Sequence, residues 1–364
     1  MELPAWLPSE RTVSAFVVLI LALTIALLAA GRGDRTLLGA GSNAVPTKSN
    51  GQVVAQVEAP RPKLGVAATP EAPAVGGGAL LTPAPAIEYA TAPLLATPPP
   101  DPAYDPMVDG LLPHFRILTY YGHPHDANMG IVGEHAIEDV HRLLIEEAER
   151  YEIADPDREV IAAFELIATV AQRVPGADGT YILDTDIKTL TEWVNYAADH
   201  DMLVFLDVQI GRGSVAAELE KVRSLLLRPN VHLAIDPEFA VADGQTPGDH
   251  IGSVWAESIT YAQNELAALV EAHNLPPKVL IVHQFREDMI KEKETLRPVP
   301  GVQLVIDADG FGDPDLKTSV YNILVRDEPV EFGGIKLFYR QDKPLMEPSD
   351  VVDLNPSPDL VIYQ

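Results

Sequence analysis

The feature that most constrains this fold is a regular alternation of strand-like and helix-like segments from residue 115 onward. Short runs rich in β-branched, aromatic and other apolar residues, typical of buried strands, recur eight times. Amphipathic stretches with apolar residues three and four positions apart separate them. We predict strands at residues 115–121, 163–170, 203–210, 231–239, 278–285, 302–309, 335–340 and 360–363.

The segments between these strands indicate crossover helices. We expect helices at 135–151, 187–200, 215–227 and 253–273, with Asp186, Ser214 and Ser253 as N-caps. Eight strand and helix repeats in about 260 residues match an α/β fold of the TIM-type, a (β/α)8 barrel. An open doubly wound sheet is the alternative, although it usually has fewer strands and a glycine-rich first turn.

The eighth predicted strand is not followed by a helix, because it reaches Gln364, the last residue of the sequence. We therefore expect a barrel that lacks its final helix. Since the strands of such barrels end at the active-site mouth, the carboxylate of Gln364 is expected there. The seam between strands eight and one then needs another cover. The candidates are residues 104–114 and the apolar residues of the segment before them.

A charge-free apolar segment occupies residues 12–31, after a short flank at residues 1–11. About 20 helical residues span the ~30 Å hydrocarbon core of a membrane, so we predict a transmembrane helix. A cleaved signal peptide is the alternative, but its apolar region is normally about 7–15 residues long. Arg11 before the helix and Arg32 and Arg35 after it mildly favour a cytoplasmic C-terminal side.

Residues 32–103 are rich in proline, alanine and glycine and have no sustained periodicity. Such a segment buries too little apolar surface to offset the entropy lost on ordering, so we predict a disordered linker. A long linker suits a domain held away from a membrane in an outer layer. We therefore expect a single-pass cell-membrane protein whose domain, residues 104–364, is extracytoplasmic. This expectation goes against the orientation that the arginines favour.

The charge and the absence of cysteine exclude several classes of protein. The chain has 53 acidic and 26 basic residues, a net charge of −27. Nucleic acid is excluded as a partner, since binding to phosphates requires clusters of lysine and arginine. The chain has no cysteine, which rules out disulfides, thiolate metal sites and a cysteine nucleophile.

Acidic and polar residues appear where the predicted strands end. Three pairs lie two positions apart: Asp207 with Gln209, Asp236 with Glu238, and Asp307 with Asp309. Residues i and i+2 of a strand face the same side, so we expect each pair to project together into the mouth. Converging carboxyl groups cannot all ionise normally, and one then holds a proton while another stays charged. Glycosidases use one protonated and one charged carboxyl group in this way.

We predict Glu238 as the general acid/base, with Asp207 or Asp307 as its partner carboxylate and Asp236 as a further catalytic candidate. The expected substrate-binding residues are Tyr121, His123, Gln209, His283, Asp309, Tyr339 and Tyr363. Each has a structural alternative: Asp309 and Asp342 also suit caps or turns, and Glu165 also suits a pair with a cation inside the barrel.

The His123-Pro124-His125 sequence after the first strand resembles the metal-dependent amidohydrolases, in which such a motif supplies two ligands. It defines an alternative to the main hypothesis, in which no cofactor is needed. The divalent-metal ligands would be His123, His125, Asp236, Glu238 and His283. The sequence departs from that family, because His283 matches only loosely and no Asp follows strand eight.

Several motifs occur in order along residues 115–364: YYGHPHDANMGIVGE, FELIATVAQ, LVFLDVQIGRG, HLAIDPEF, PPKVLIVHQFR, DADGFG and LVIYQ. Together they resemble a group of exported, often lipid-anchored bacterial barrel-like proteins of Gram-positive type without assigned activity. The resemblance implies an exported setting and supplies no catalytic residues. The Asp-x-Glu of strand four is also similar to that of glycoside hydrolase barrels.

These features together predict a membrane-anchored, glycoside hydrolase-like enzyme. Its expected partner is a carbohydrate or another polymer of the cell envelope or extracellular space, and its N-terminal helix contacts the membrane. Two alternatives stay open. One is a non-catalytic barrel that binds a glycan or envelope partner, and the other is the divalent-metal hydrolase.

Overall fold

The computed structural model describes residues 110–328 and 331–364. The predicted transmembrane helix at 12–31, the predicted linker at 32–103 and the first residues of the predicted domain lie outside these ranges. Among the helices of the described ranges, none has the length and apolar character needed to cross a membrane.

Eight parallel strands close into a barrel. They are β1 (Arg116–Gly122), β2 (Val160–Ala171), β3 (Leu203–Gln209), β4 (Val231–Asp236), β5 (Lys278–Gln284), β6 (Val302–Ala308), β7 (Phe332–Leu337) and β8 (Leu360–Tyr363). Neighbours around the barrel follow chain order, and β8 pairs with β1 to close it. The predicted eight-stranded α/β barrel is confirmed, and the open doubly wound sheet is wrong.

Helices pack around this barrel. They are α1 (Ile137–Ala154), α2 (Ile187–Asp199), α3 (Val215–Leu226), α4 (Ala256–His273), α5 (Pro314–Tyr321) and α6 (Pro348–Val352). Asp186 and Ser214 cap α2 and α3 as predicted, each accepting a backbone N–H bond. Ser253 does not cap α4, because Val254–Trp255 first pairs with Ile290–Lys291 in a two-stranded sheet.

Alternate residues of each strand face opposite sides, so the barrel has two apolar layers. The outer layer packs the strands against the helices and forms the larger cluster. The inner layer fills the barrel near its amino end with side chains that include Ile117, Ala163, Phe205, Val279 and Val305. Nearer the carboxyl ends of the strands, the inward-facing residues become polar, and the site lies there.

The seam between β8 and β1 is covered by α1 and by four tyrosines, here called the tyrosine cluster: Tyr120, Tyr151, Tyr339 and Tyr363. Tyr151 of α1 hydrogen-bonds Tyr363 of β8 through their hydroxyls at 3.0 Å. Tyr339 stacks on Tyr363 with ring centroids 5.0 Å apart. Packing by α1 and these rings therefore covers the seam.

Residues 110–115 close the amino end of the barrel, its floor. Leu112 is fully buried among the inner apolar residues. Its backbone N–H donates to Gln303 Oε1 at 3.1 Å, and Gln303 Nε2 donates back to the Leu112 carbonyl at 2.6 Å. The described part of the predicted seam cover therefore lies at the floor, so that prediction is wrong for residues 110–114.

Candidate functional site

A pocket of about 120 Å³ opens at the carboxyl ends of the strands, opposite the floor. We call it the acidic pocket, because Asp236, Glu238 and Asp309 line it. Its other walls are aromatic, aliphatic, polar or cationic and include Tyr121, Met129, Ile167, Gln209, Phe239, Phe285, Phe311, Lys336, Phe338 and Gln364. Strands β1, β3, β4 and β7 and the segments that follow several strands all contribute to it.

Asp236 and Glu238 reach the pocket through a turn and not through an extended strand. Strand β4 ends at Asp236, and Pro237–Phe239 forms a 3-10 turn whose cap is Asp236. The Glu238 N–H donates to Asp236 Oδ1 at 2.9 Å. The prediction that the strand continues to residue 239 is wrong, because Pro237 supplies no N–H to a ladder and suits the first position of a turn. Both carboxyl groups still line one pocket.

Glu238 lines the acidic pocket without a charged partner among the described residues. It is half-buried. Burial, followed by the negative charges of Asp236 and Asp309, raises the pKa of Glu238 well above its usual value. Within the described ranges its carboxyl group forms no hydrogen bond or ion pair. Arg340 pairs with Glu134 at 2.8 Å, and Arg212 donates to the Gln245 carbonyl, so neither arginine neutralises Glu238.

His283, at the end of β5, links carboxyl groups beneath the pocket. Its Nε2 lies 2.9 Å from Glu165 Oε1, and its Nδ1 lies 3.0 Å from Asp307 Oδ2 and 3.4 Å from Asp309 Oδ2. Burial lowers the pKa of His283, but Glu165 and Asp307 outweigh it and raise that pKa well above its usual value. These contacts favour the protonated form of His283. Glu165 is paired with this group inside the barrel, which is the structural alternative that its position in a strand allowed.

Lys336 of β7 is the second cation of the site. Its Nζ lies 3.2 Å from Asp309 Oδ2 and 3.7 Å from the centroid of the Tyr121 ring. Burial lowers the pKa of Lys336, but Asp309 and the other nearby carboxyl groups outweigh it and raise that pKa. The amine therefore stays protonated. Sequence reasoning missed Lys336, although a lysine between the apolar Ile335 and Leu337 of a buried strand is a signal for an inward-facing charge.

Asp207 and Asp307 lie one layer below the pocket. Both are fully buried and neither lines it. Asp207 Oδ2 accepts a hydrogen bond from the Tyr121 hydroxyl at 3.1 Å, and burial raises the pKa of Asp207 to about 8. Asp207 and Asp307, predicted as the carboxylate facing the substrate, therefore do not line the pocket. Asp309, predicted as a binding residue, lines the pocket instead, and it caps no helix.

The other predicted binding residues divide into two groups. Tyr121 and Gln209 line the acidic pocket, with His283 beneath them. Tyr363 is buried in the tyrosine cluster and Tyr339 lines a neighbouring cleft, so neither reaches this pocket. His123 is also displaced, because its Nε2 contacts Thr185 Oγ1 at 3.1 Å. Asp342 has the structural role that was given as its alternative, that of a cap or turn residue. Its carboxyl group accepts hydrogen bonds from the backbone N–H groups of Gly312 and Phe338.

The predicted metal ligands are not brought together. The only group in the described ranges whose ligand atoms all lie within 4.8 Å of one another is His283, Asp307 and Asp309, which shares one residue with the predicted set. His125 Nε2 instead contacts Thr189 Oγ1 at 2.9 Å, so His123 and His125 face the segment after β2. The group of His283, Asp307 and Asp309, one imidazole and two carboxyl groups, could hold a metal ion.

No family model matches the chain, and no curated protein does. Solved structures resemble it distantly. The clostridial cellulose synthase subunit Z from Clostridioides difficile aligns with a TM-score of 0.37 and 9% identity, covering 68% of this chain and 91% of that chain. The Bacillus subtilis mannanase BCman aligns with a TM-score of 0.34 and 11% identity, covering 69% and 80%. At these values no residue role is transferred from either.

Proposed function

We propose that the acidic pocket hydrolyses glycosidic bonds, with Glu238 as the general acid. The supporting observation is that two different carboxyl groups face one pocket. Glu238 has a raised pKa and no ionic partner among the described residues, while Asp309 is ion-paired with Lys336 at 3.2 Å. Glycoside hydrolysis needs this division, because a carboxylic acid protonates the leaving oxygen while a carboxylate acts on the other side of the sugar.

The proposed reaction assigns a role to each group. Glu238 donates its proton to the glycosidic oxygen as the bond to the anomeric carbon breaks. Asp309 stabilises the positive charge that develops on the sugar, either by attacking the anomeric carbon or by deprotonating the attacking water. The water supplies a hydroxyl group to the sugar and a proton to the pair of carboxyl groups, which restores the starting state.

The walls of the pocket suit a neutral sugar. Phe239, Phe285, Phe311 and Phe338 offer apolar surfaces for the C–H face of a sugar ring, and Gln209 offers an amide. Three carboxyl groups and a net charge of −27 disfavour an anionic substrate. The proposed substrate class is therefore neutral carbohydrate of the cell envelope or extracellular space.

A second chemistry, imine formation by Lys336, is disfavoured by the same electrostatics. A lysine nucleophile must lose its proton near neutral pH, which requires a lowered pKa. The surrounding carboxyl groups instead raise the pKa of Lys336. Its role in the proposal is to hold Asp309 in place.

The setting of the reaction is also part of the proposal. We place the barrel outside the cytoplasm, tethered to the cell membrane by residues 12–31 through the linker at 32–103. The length of the charge-free apolar segment and the composition of the linker support this placement.

The central experiment compares Glu238→Gln with the wild type on a panel of neutral oligosaccharides. Loss of the acid should reduce kcat by at least about 100-fold with little change in Tm, because glutamine has the same shape and no proton to donate. Asp309→Asn should cause a similar loss.

The matched control is Glu149→Gln on the exposed face of α1, which should retain wild-type kcat. A Glu238→Gln enzyme as active as the wild type would show that Glu238 is not the acid. If the wild type binds oligosaccharides without cleaving any, the non-catalytic binding alternative replaces hydrolysis.

A further inference from the structure

A second and larger cleft adjoins the acidic pocket. It has a volume of about 430 Å³ and lies between the segment after β1, helix α1 and the segment after β7. Tyr120 and Tyr339 line it, and we call it the tyrosine cleft. Gln364 lines both the tyrosine cleft and the acidic pocket, so the two are neighbours at the mouth of the barrel.

The tyrosine cleft contains an exposed aromatic ring that is already fixed in place. Tyr339 is 38% exposed, yet its ring stacks on Tyr363 with an interplanar angle of 24°. Its hydroxyl lies 2.9 Å from that of Tyr120. Because one face of the ring is packed and its hydroxyl is bonded, little side-chain freedom is lost when a ligand covers the exposed part.

Charged groups around this ring offer both donors and acceptors. Arg340 and Glu134 form an ion pair at 2.8 Å, and the Arg340 side chain is 63% exposed. Arg150 and Glu147 pair at 2.7 Å on the same cleft. Sugar hydroxyls both donate and accept hydrogen bonds, so they can bind to the exposed atoms of these pairs, above all to Arg340.

One wall of the tyrosine cleft, the segment after β1, packs against the end of β1, which also lines the acidic pocket. Gly130 lines the tyrosine cleft and has a φ of 108°, a conformation that favours glycine. A Cβ at this position would overlap the carbonyl oxygen of Tyr121, a residue of the acidic pocket. The segment after β1 is thus packed directly on the end of β1, and the positions of the two cavities are coupled.

We propose that the tyrosine cleft is a second sugar-binding subsite. One unit of a neutral glycan would stack on Tyr339 while a neighbouring unit lies in the acidic pocket. This inference rests on the proposed function of that pocket and narrows its substrate class. The protein then acts on glycan chains of several units in preference to short saccharides.

The test measures binding and cleavage separately, using the full-length protein and hexasaccharides of β-1,4-linked glucose, mannose and N-acetylglucosamine as probes. Binding is measured in the Glu238→Gln background, where turnover is blocked. Adding Tyr339→Ala should weaken hexasaccharide binding by at least about tenfold, equivalent to about 1.4 kcal/mol. Tyr339→Phe, which keeps the ring, should retain affinity to within about threefold.

Tyr261→Ala, a half-buried tyrosine on α4 that lines neither cavity, is the matched control and should leave affinity unchanged. If Tyr339→Ala lowers the Tm, Arg340→Ala provides the second variant, because its side chain is largely exposed. We expect Arg340→Ala to weaken hexasaccharide binding by about threefold or more.

The outcomes separate the two proposals. Glu238-dependent cleavage of a hexasaccharide whose affinity is unaffected by both Tyr339→Ala and Arg340→Ala overturns the subsite and leaves the hydrolase. Tyr339-dependent binding without cleavage by the wild type supports the subsite and overturns hydrolysis. Absence of binding to all three hexasaccharides overturns both.

Discussion

At the scale of single residues, the upper part of the barrel contains more acid than base. Two cations, His283 and Lys336, are surrounded by the carboxyl groups of Glu165, Asp207, Asp236, Glu238, Asp307 and Asp309. Buried charges must be paired or neutralised, so several of these carboxyl groups retain protons. The raised pKa values of Asp207, Asp236, Glu238 and Asp307 follow from this imbalance and from burial.

Because folding raises the pKa of these carboxyl groups, the free energy of unfolding should depend on pH. The pKa of Asp207 rises from 3.8 to about 8 on folding, so between those values the folded protein holds a proton that the unfolded chain has released. The stabilisation is present at low pH and is lost as pH rises, by up to about 1.4 kcal/mol per pH unit. Asp207→Asn mimics the protonated form. The free energy of unfolding of the wild type, relative to this variant, should therefore fall between about pH 5 and pH 8.

Urea unfolding at several pH values measures this difference. Asp199→Asn, at an exposed position at the end of α2, is the control and should follow the wild type at every pH. A wild-type curve that runs parallel to that of Asp207→Asn would contradict the assignment of the proton to Asp207.

The sequence predicted which side chains point into the mouth of the barrel, because alternate residues of a strand face the same side. Asp236, Glu238 and Asp309 end predicted strands, and all three line the acidic pocket. Depth was not predictable, because it depends on how far each strand extends along the barrel relative to its neighbours. Asp207 and Asp307 follow the same spacing rule as Asp309, yet both lie below the pocket.

At the scale of elements, strand positions followed from composition, because the eight strands are largely buried and mostly apolar. The same property concealed which face turns inward, and an apolar run of this kind has no contrast between its two sides. Lys336 was missed although it stands as the one charge between two apolar residues of such a strand. The turn at Pro237–Phe239 is a local effect of proline, and it shortens β4 by three residues relative to the predicted strand.

The floor of the barrel is an element whose contribution can be measured. Leu112 is fully buried, and its backbone forms two hydrogen bonds with Gln303. Leu112→Ala should lower the free energy of unfolding by about 2–5 kcal/mol, because it leaves a cavity in the inner apolar layer. Ile153→Ala on α1, at a side chain that is 82% exposed, should change it by less than about 0.5 kcal/mol. Equal effects of the two substitutions in urea unfolding would show that the floor contributes no packing energy.

At the scale of the whole molecule, the proposed placement of the barrel outside the cytoplasm makes a direct prediction. An antibody raised against the barrel should label intact producing cells without permeabilisation. The local arginines Arg32 and Arg35 favour the opposite orientation under the positive-inside rule. Labelling that appears only after permeabilisation would therefore support the arginine pattern and contradict the extracytoplasmic proposal. An antibody against a known cytoplasmic protein of the same cells serves as the control for membrane integrity.

The entry of the chain at the floor has a mechanical consequence. Any tension on the chain upstream of Gly110 acts first on Leu112 and then on β1, at the end of the barrel farthest from both cavities. Strand β1 is hydrogen-bonded to β2 on one side and β8 on the other, and Arg116 at its start is buried and bonded to the Pro358 carbonyl and to Asp155. A pull along the strand axis loads these bonds in shear, all at once and not one after another. Such a pull would be resisted by these bonds together before it reached the residues that line the cavities at the mouth.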